Sequence, residues 1–242
     1  AWLFLVRRPE DMGLLPDGRP PADDAAAAPK AARAAAASMA RTEEPSFSRA
    51  QAMRTPAFWL LGLYTIVIFP GQAGVSLHQA PHLIERGLSS ATAAGIVGVF
   101  SISAGLGSII FGLVGRRLGV RACLATAAAL TTIAPLLMIA ITTPLHGYVA
   151  AACFGIGIGG VLTILPLAWA DYFGRSSFGA IRGAALTMQV TAQAAGPLLS
   201  GYLRDLTGNY TIPLLVFASL AGIGVIVALL AGAPRPLARG MP

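Results

Sequence analysis

Residues 148–170 read YVAAACFGIGIGGVLTILPLAWA, an apolar run that contains no Asp, Glu, Lys or Arg. An α-helix rises about 1.5 Å per residue, so about 20 residues cross the roughly 30 Å hydrocarbon core of a bilayer. Runs of similar length without those four residue types also occur at 57–77, 91–114, 122–142, 183–203 and 212–232. Six such runs in succession predict an all-α polytopic membrane protein with six transmembrane helices.

The composition and the distribution of charge point the same way. Hydrophobic residues make up 55% of the sequence and charged residues 11%, which is too few to solvate the surface of a soluble domain. Lys and Arg outnumber Asp and Glu 17 to 10, and only Arg86 and Arg204 fall in the links that follow the first and fifth runs. Because cytoplasmic loops retain positive charge, we expect a multi-pass protein of a prokaryotic plasma (inner) membrane, with both termini of this piece in the cytoplasm. The charges do not gather beside aromatic or polar base readers, so no nucleic-acid partner is expected.

The chain divides into four segments. Residues 1–17 read as the end of a preceding transmembrane helix and the start of a central cytoplasmic loop, because an apolar stub runs directly into Arg7 and Arg8. Residues 18–56, with alanine runs and scattered Pro, are typical of a low-complexity cytoplasmic linker. Residues 57–232 form the predicted six-helix transmembrane lobe, and residues 233–242 form a cytoplasmic tail.

Several short stretches, spread over most of the chain, carry a resemblance to a known family. They are RPEDMGLLPDG at 8–18, RTPAFW at 54–59, HLIERGLS at 82–89 with Ala91 and Ala94, DYFGR at 171–175 with Phe178 and Gly179, and Gly196-Pro197 followed by Asp205, Thr207-Gly208 and Tyr210. In order and spacing they resemble the C-terminal half of a major facilitator superfamily transporter, of the monocarboxylate and oxalate/formate antiporter-like branch.

The resemblance implies one lobe of a secondary active transporter that moves a small solute by alternating access, with organic anions and monocarboxylates among the expected solutes. The implied partners are a missing N-terminal six-helix half and membrane lipid, and no cofactor, metal site or catalytic residue is expected. A homodimer in which each copy supplies one lobe is an alternative. A six-helix integral-membrane enzyme or sensor is the other, although the six runs carry none of the acids or histidines that an enzyme site would be expected to use.

One departure from the family concerns a cytoplasmic charge latch. The family motif Gly-x-Leu-x-Asp-Arg-x-Gly-x-Arg is similar to residues 112–121, but Arg116 stands where the acid is expected. Asp171, at the cytoplasmic end of the fourth run, lies where the helix dipole disfavours negative charge and favours a cation partner. The hypothetical latch comprises Arg116, Arg117, Arg121, Asp171 and Arg175. Simple solvation of Asp171 is the alternative, and charge reversal at Asp171 in a transport assay would distinguish them.

The polar residues inside the runs are the candidates for substrate binding. Gln189 and Gln193 are four residues apart, hence on one helix face, and Gln193 is the middle residue of its run. Amides inside a membrane need a polar partner or a wet cavity. Interhelical hydrogen bonding is the alternative role for Gln193. The other candidates are Tyr64 and Gln72, on either side of a Pro70-Gly71 interruption, and Ser101 and Ser103. By resemblance, the first, second, fourth and fifth runs line the path, and the sixth faces lipid.

Three further features complete the prediction. Residues spaced as small-xxx-small predict close helix contacts, and they are Ala104, Ser108 and Gly112, Gly155 and Gly159, and Ala192, Gly196 and Ser200. No basic residue lies inside the second or fifth run, so either the countercharge for an anion is in the missing half or the substrate is not a simple anion. His78 and His82 are four apart, but Pro81 is expected to interrupt the helix that a shared site would need.

Overall fold

The described part of the protein is a bundle of seven helices without strands. A computed structural model describes residues 47–174 and 178–234, apart from the side chain of Arg116. The predicted segment 1–17, most of the linker, residues 235–242 of the predicted tail 233–242, and Arg175 lie outside the described residues. The helices are α1 Arg49–Met53, α2 Pro56–Glu85, α3 Ser90–Leu118, α4 Val120–Ile139, α5 Pro144–Phe173, α6 Phe178–Thr207 and α7 Thr211–Leu230. The prediction of an all-α fold is confirmed.

The helices begin and end where local chemistry dictates. Both α2 and α5 start at a Thr-Pro pair, and the hydroxyl oxygens of Thr55 and Thr143 accept hydrogen bonds from the first-turn backbone of their helices. Proline is suited to this position because its missing N–H would have no helical partner. Gly119 separates α3 from α4 with a φ of 79°, a backbone conformation that residues other than glycine rarely adopt.

The interruption predicted at Pro70 and Pro81 is wrong. α2 continues through both prolines for 30 residues. Membrane helices tolerate proline because the surrounding helices and the rest of the helical hydrogen bonds hold the backbone in place. His78 and His82 therefore do lie on one continuous helix, contrary to the expectation from sequence.

Five helices within the described residues are long and apolar enough to cross a membrane, namely α2, α3, α4, α5 and α7. The fifth predicted run, 183–203, lies inside α6, which is as long as α2 but more polar and does not reach the same hydropathy. Its Gln and Ser side chains lower its mean hydropathy. They lie along the face that meets α2, so they do not all face lipid.

The six long helices form two similar triplets. In the first, α2, α3 and α4 have 30, 29 and 20 residues, and in the second, α5, α6 and α7 have 30, 30 and 20. α2 packs on α6 and α7 of the second triplet, α5 packs on α3 and α4 of the first, and α4 packs on α7. Because each triplet has an odd number of helices, the two triplets run in opposite directions, which is the arrangement of an inverted repeat.

The helices alternate in direction, which defines two ends of the bundle. At the end we call the basic end, Phe47 meets Phe173, and the Tyr172 hydroxyl donates to the carbonyl oxygen of Ala231 at 2.6 Å. At the opposite end, Arg204 of α6 pairs with Glu85 of α2 at 2.8 Å. The links predicted to share a membrane side therefore lie at the same end of the bundle.

We expect the basic end to face the cytoplasm, because most Arg of the described residues lie toward that end. In full-length protein lacking Cys123 and Cys153, an impermeant thiol reagent should label single cysteines at 80–88 and 204–210 from outside intact cells. Cysteines at 116–121 and 175–182 should react only after the membrane is opened with detergent, which serves as the positive control. Labelling of all four links from one side would contradict this arrangement.

Candidate functional site

The contact between α2 and α6 is close enough for backbone to meet backbone. A Cβ at Gly196 would collide with the carbonyl oxygen of Pro70, and a Cβ at Gly74 would lie 3.0 Å from the carbonyl oxygen of Gly196. Glycine at both positions removes the side chain that would hold the helices apart. The small residue predicted at Gly196 thus belongs to a real helix contact, and polar side chains on either helix near this point come within hydrogen-bonding reach.

Two of the predicted substrate residues meet across this contact. The Nε2 of Gln193 donates a hydrogen bond to the Oε1 of Gln72 at 2.8 Å, and both side chains are half-buried. The remaining amide group of each side chain, the Oε1 of Gln193 and the Nε2 of Gln72, can bind a further polar partner. The pair is therefore both a link between two helices and a possible contact for a polar solute.

Gln189 lies one turn from Gln193 and introduces a charged neighbour. The Nη2 of Arg182 donates to the Oε1 of Gln189 at 3.3 Å. The Nη1 of Arg182 is buried and has no hydrogen-bond partner among the described residues. A buried guanidinium donor without a partner favours an anion or a carbonyl oxygen beside it.

Arg182 is the site residue that sequence reasoning missed. It lies one position before the charge-free run 183–203, so hydropathy alone places it in the preceding loop. In the structure α6 begins at Phe178, which places Arg182 within the helix. Its spacing of seven and eleven residues from Gln189 and Gln193 puts all three on one helix face. The sequence contains this periodicity, but it becomes visible only when the helix is extended beyond the uncharged run.

The other predicted substrate residues lie elsewhere. Tyr64 is fully buried, and its hydroxyl donates to the carbonyl oxygen of Leu124 on α4 at 3.0 Å. Ser101 is exposed on α3 and donates to the carbonyl oxygen of Val97 in its own helix. Ser103 is buried where α3 meets Gly155. α3 packs on α5, whereas α6 packs on α2, so the structure brings together Gln72, Gln189 and Gln193 and leaves the tyrosine and serines apart from them.

The candidate latch residues at the basic end take part in different contacts. The Arg121 guanidinium donates to the carbonyl oxygen of Leu229 and thereby ties α4 to α7. Among the described side chains, the ion pairs are Arg204 with Glu85 and with Asp205, both at the opposite end. Asp171 thus makes no ion pair with Arg117 or Arg121. The Arg116 side chain and Arg175 lie outside the described residues, so a link from Asp171 to either one stays a prediction.

Comparison with known proteins adds the family. The sequence model of the Major Facilitator Superfamily matches residues 61–240, which is more than half of the chain and includes α3, α4, α5, α6 and α7 together with most of α2. A search of curated proteins finds no significant match.

Proposed function

The chain belongs to the Major Facilitator Superfamily, whose members are generally membrane transporters, and on this premise we propose that it moves a small organic anion by alternating access. The anion is bound, in this proposal, beside the α2–α6 contact by Arg182, Gln189, Gln193 and Gln72. The six helices act as one lobe of the transporter, in line with the resemblance to the monocarboxylate and oxalate/formate antiporter-like branch.

The observation that carries the proposal is the unpaired guanidinium N–H of Arg182. The Nη2 of Arg182 donates to Gln189, which orients the guanidinium group. The Nη1 is buried without a partner among the described residues. A carboxylate is a favourable ligand for such a group because it accepts strong, charge-assisted hydrogen bonds. Arg182 supplies within this lobe the countercharge that the charge-free runs lack.

The amides extend this binding surface toward the middle of the bilayer. Gln189 and Gln193 are half-buried on α6. Polar groups at such depth are stable when they face a wet cavity or another protein surface rather than lipid. This supports a second six-helix lobe facing α2 and α6, with the solute held between the lobes.

Alternating access also needs helices that can slide or rock against each other. At the contact of Gly74 with Gly196 the backbones of α2 and α6 meet directly, without side chains of these two helices between them. A carboxylate oxygen of the solute can then accept the hydrogen bond that the Nε2 of Gln193 donates to Gln72.

The proposal is tested by uptake into proteoliposomes that contain the full-length protein. Replacing Arg182 with Gln removes a charged hydrogen bond worth about 1.5–3 kcal/mol, which corresponds to roughly a 10- to 100-fold loss of carboxylate transport. Arg182→Lys, which keeps the charge but not the planar fork, should recover part of it. The matched control is Arg54→Gln, an exposed arginine at the same end, which should transport normally.

The solute panel decides the class. Monocarboxylates, oxalate and a neutral sugar should be offered in parallel, and thermal stabilisation of the purified protein by each solute gives a second readout. Transport confined to neutral or cationic solutes, or carboxylate uptake that Arg182→Gln leaves unchanged, would show that the anion assignment is wrong even though the protein remains a transporter.

A further inference from the structure

A small cavity lies at the opposite end of the same helix contact, where α2, α6 and the start of α7 meet. It has a volume of about 10 Å³. Its polar lining comes from His78, Gln79 and His82 of α2, Ser200 of α6 and Tyr210, and apolar side chains close the remaining sides. Arg182 and Ser200 are eighteen residues apart, which is five helical turns, so the cavity lies on the same face of α6 as the proposed anion site.

Gln79 is the unusual member of this lining. Its side chain is only 3% exposed, yet neither its Oε1 nor its Nε2 has a hydrogen-bond partner among the described residues. Buried polar atoms are nearly always paired, since an unpaired amide forfeits the hydrogen bonds that it made to water. An amide with both atoms unpaired and facing a cavity therefore indicates a ligand that can donate and accept.

The histidines define what else is available in the cavity. The Nδ1 of His78 donates to the carbonyl oxygen of Gly74 at 3.1 Å, and the Nε2 of His82 donates to the carbonyl oxygen of Met138 at 2.9 Å. A carbonyl only accepts, so these contacts assign the donor nitrogens, and each neutral ring keeps a second nitrogen that can accept. Gln79 consequently has acceptors and donors around it but no direct partner.

The size and charge of the cavity select the ligand. About 10 Å³ is close to the smallest space that holds one water molecule, and such a water needs two to four polar partners. The lining contains no Asp, Glu, Lys or Arg, and the nearby carboxylate of Glu85 is already paired with Arg204. A neutral ligand with both donor and acceptor character fits better than a cation.

We propose that Gln79 binds a single buried water molecule at the junction of α2, α6 and α7. The water satisfies both ends of the amide and links it to the surrounding polar groups. Bulk water lies close by, because a polar cleft of about 550 Å³ at the protein surface shares His82 and Tyr210 with the cavity. Tyr210 packs edge-on against His82, with ring centroids 5.9 Å apart, so these two rings form the partition between cleft and cavity.

The test uses water itself as the probe. X-ray radiolysis of full-length protein in lipid nanodiscs, prepared in ¹⁸O-labelled water, generates hydroxyl radicals at bound waters and transfers labelled oxygen to adjacent side chains. Phe217 lines the cavity and is 2% exposed, while Phe154 is 1% exposed and lies outside the lining. Labelling of Phe217 should be severalfold faster than that of Phe154, and labelling of Met138, also in the lining, should fall severalfold in Gln79→Leu.

Equal, slow labelling of the two phenylalanines in the wild-type protein would overturn the proposal, because it would show that the cavity is dry. That comparison needs no variant, so it holds even if Gln79→Leu does not fold. Labelling of Met138 that is undiminished in a folded Gln79→Leu protein would also overturn it, because the water would then not be held by Gln79.

Discussion

Replacing Gln193 with Leu should reduce transport by the full-length protein about tenfold or more while leaving its insertion near normal. The Gln193–Gln72 hydrogen bond joins α2 to α6 at 2.8 Å, and a neutral hydrogen bond contributes only about 0.5–1.5 kcal/mol net to stability. Its loss alone should not unfold a bundle with so much apolar contact. A larger effect on uptake than on stability is therefore the signature of a solute contact, and initial uptake rates normalised to protein in the membrane measure it.

A double variant separates this role from interhelical hydrogen bonding. Gln72→Leu with Gln193→Leu replaces both partners by apolar side chains, which can restore the stability lost in either single variant. If Gln193 contacts the solute, the double variant should melt near the wild-type temperature and still fail to transport. Recovery of uptake together with stability would instead assign the pair to helix packing. Thr187→Val is the matched control, because among the described residues that hydroxyl donates to the carbonyl oxygen of Gly183 in its own helix.

Adding a single methyl group at Gly159 should destabilise the protein severely. A Cβ there would collide with the carbonyl oxygen of Ala104 and lie 2.7 Å from the backbone nitrogen of Ser108. Neither backbone atom can turn away as a flexible side chain would, so α3 and α5 must separate. Overpacking of a protein core costs about 1–3 kcal/mol, and we expect the upper part of that range here. The hydrogen bond from the Ser108 hydroxyl to the Gly159 carbonyl oxygen at 3.2 Å should be lost as well.

Gly105→Ala is the control for this prediction. It lies on α3 beside Ala104, but a Cβ at this position would meet nothing within 4 Å. Alanine is a better helix former than glycine by about 1 kcal/mol, so this variant should be at least as stable as the wild type. Thermal unfolding in detergent and protease resistance in membranes measure both variants. A Gly159→Ala protein that melts with the wild type would show that α3 and α5 do not approach as closely as described.

The sequence by itself determined the helical class and the approximate position of each long helix. Hydropathy is a local property, so each apolar run predicts a helix without knowledge of its neighbours. The same locality explains the errors at the boundaries. Glu85, Arg182 and Arg204 lie inside helices but outside the uncharged runs, because a helix continues past the hydrocarbon to where charged side chains reach polar surroundings.

Helical periodicity carried the prediction one step further. Spacing alone placed Gln189 and Gln193 on one face, and it predicted close contacts at Gly159 and Gly196 that the structure confirms. Spacing does not predict which helix packs against each face, because a glycine allows any neighbouring backbone to approach closely.

Only the tertiary structure decided which residues meet. Gln72 and Gln193 are 121 positions apart, and the order in which the helices pack brings them together. The same order buries Tyr64 against α4, away from these amides, although Tyr64 lies on the same helix as Gln72. It also leaves one guanidinium N–H of Arg182 and both amide atoms of Gln79 buried without a partner in the described structure. Hydropathy and periodicity describe one helix at a time, whereas a binding site arises where the side chains of several helices share one desolvated space.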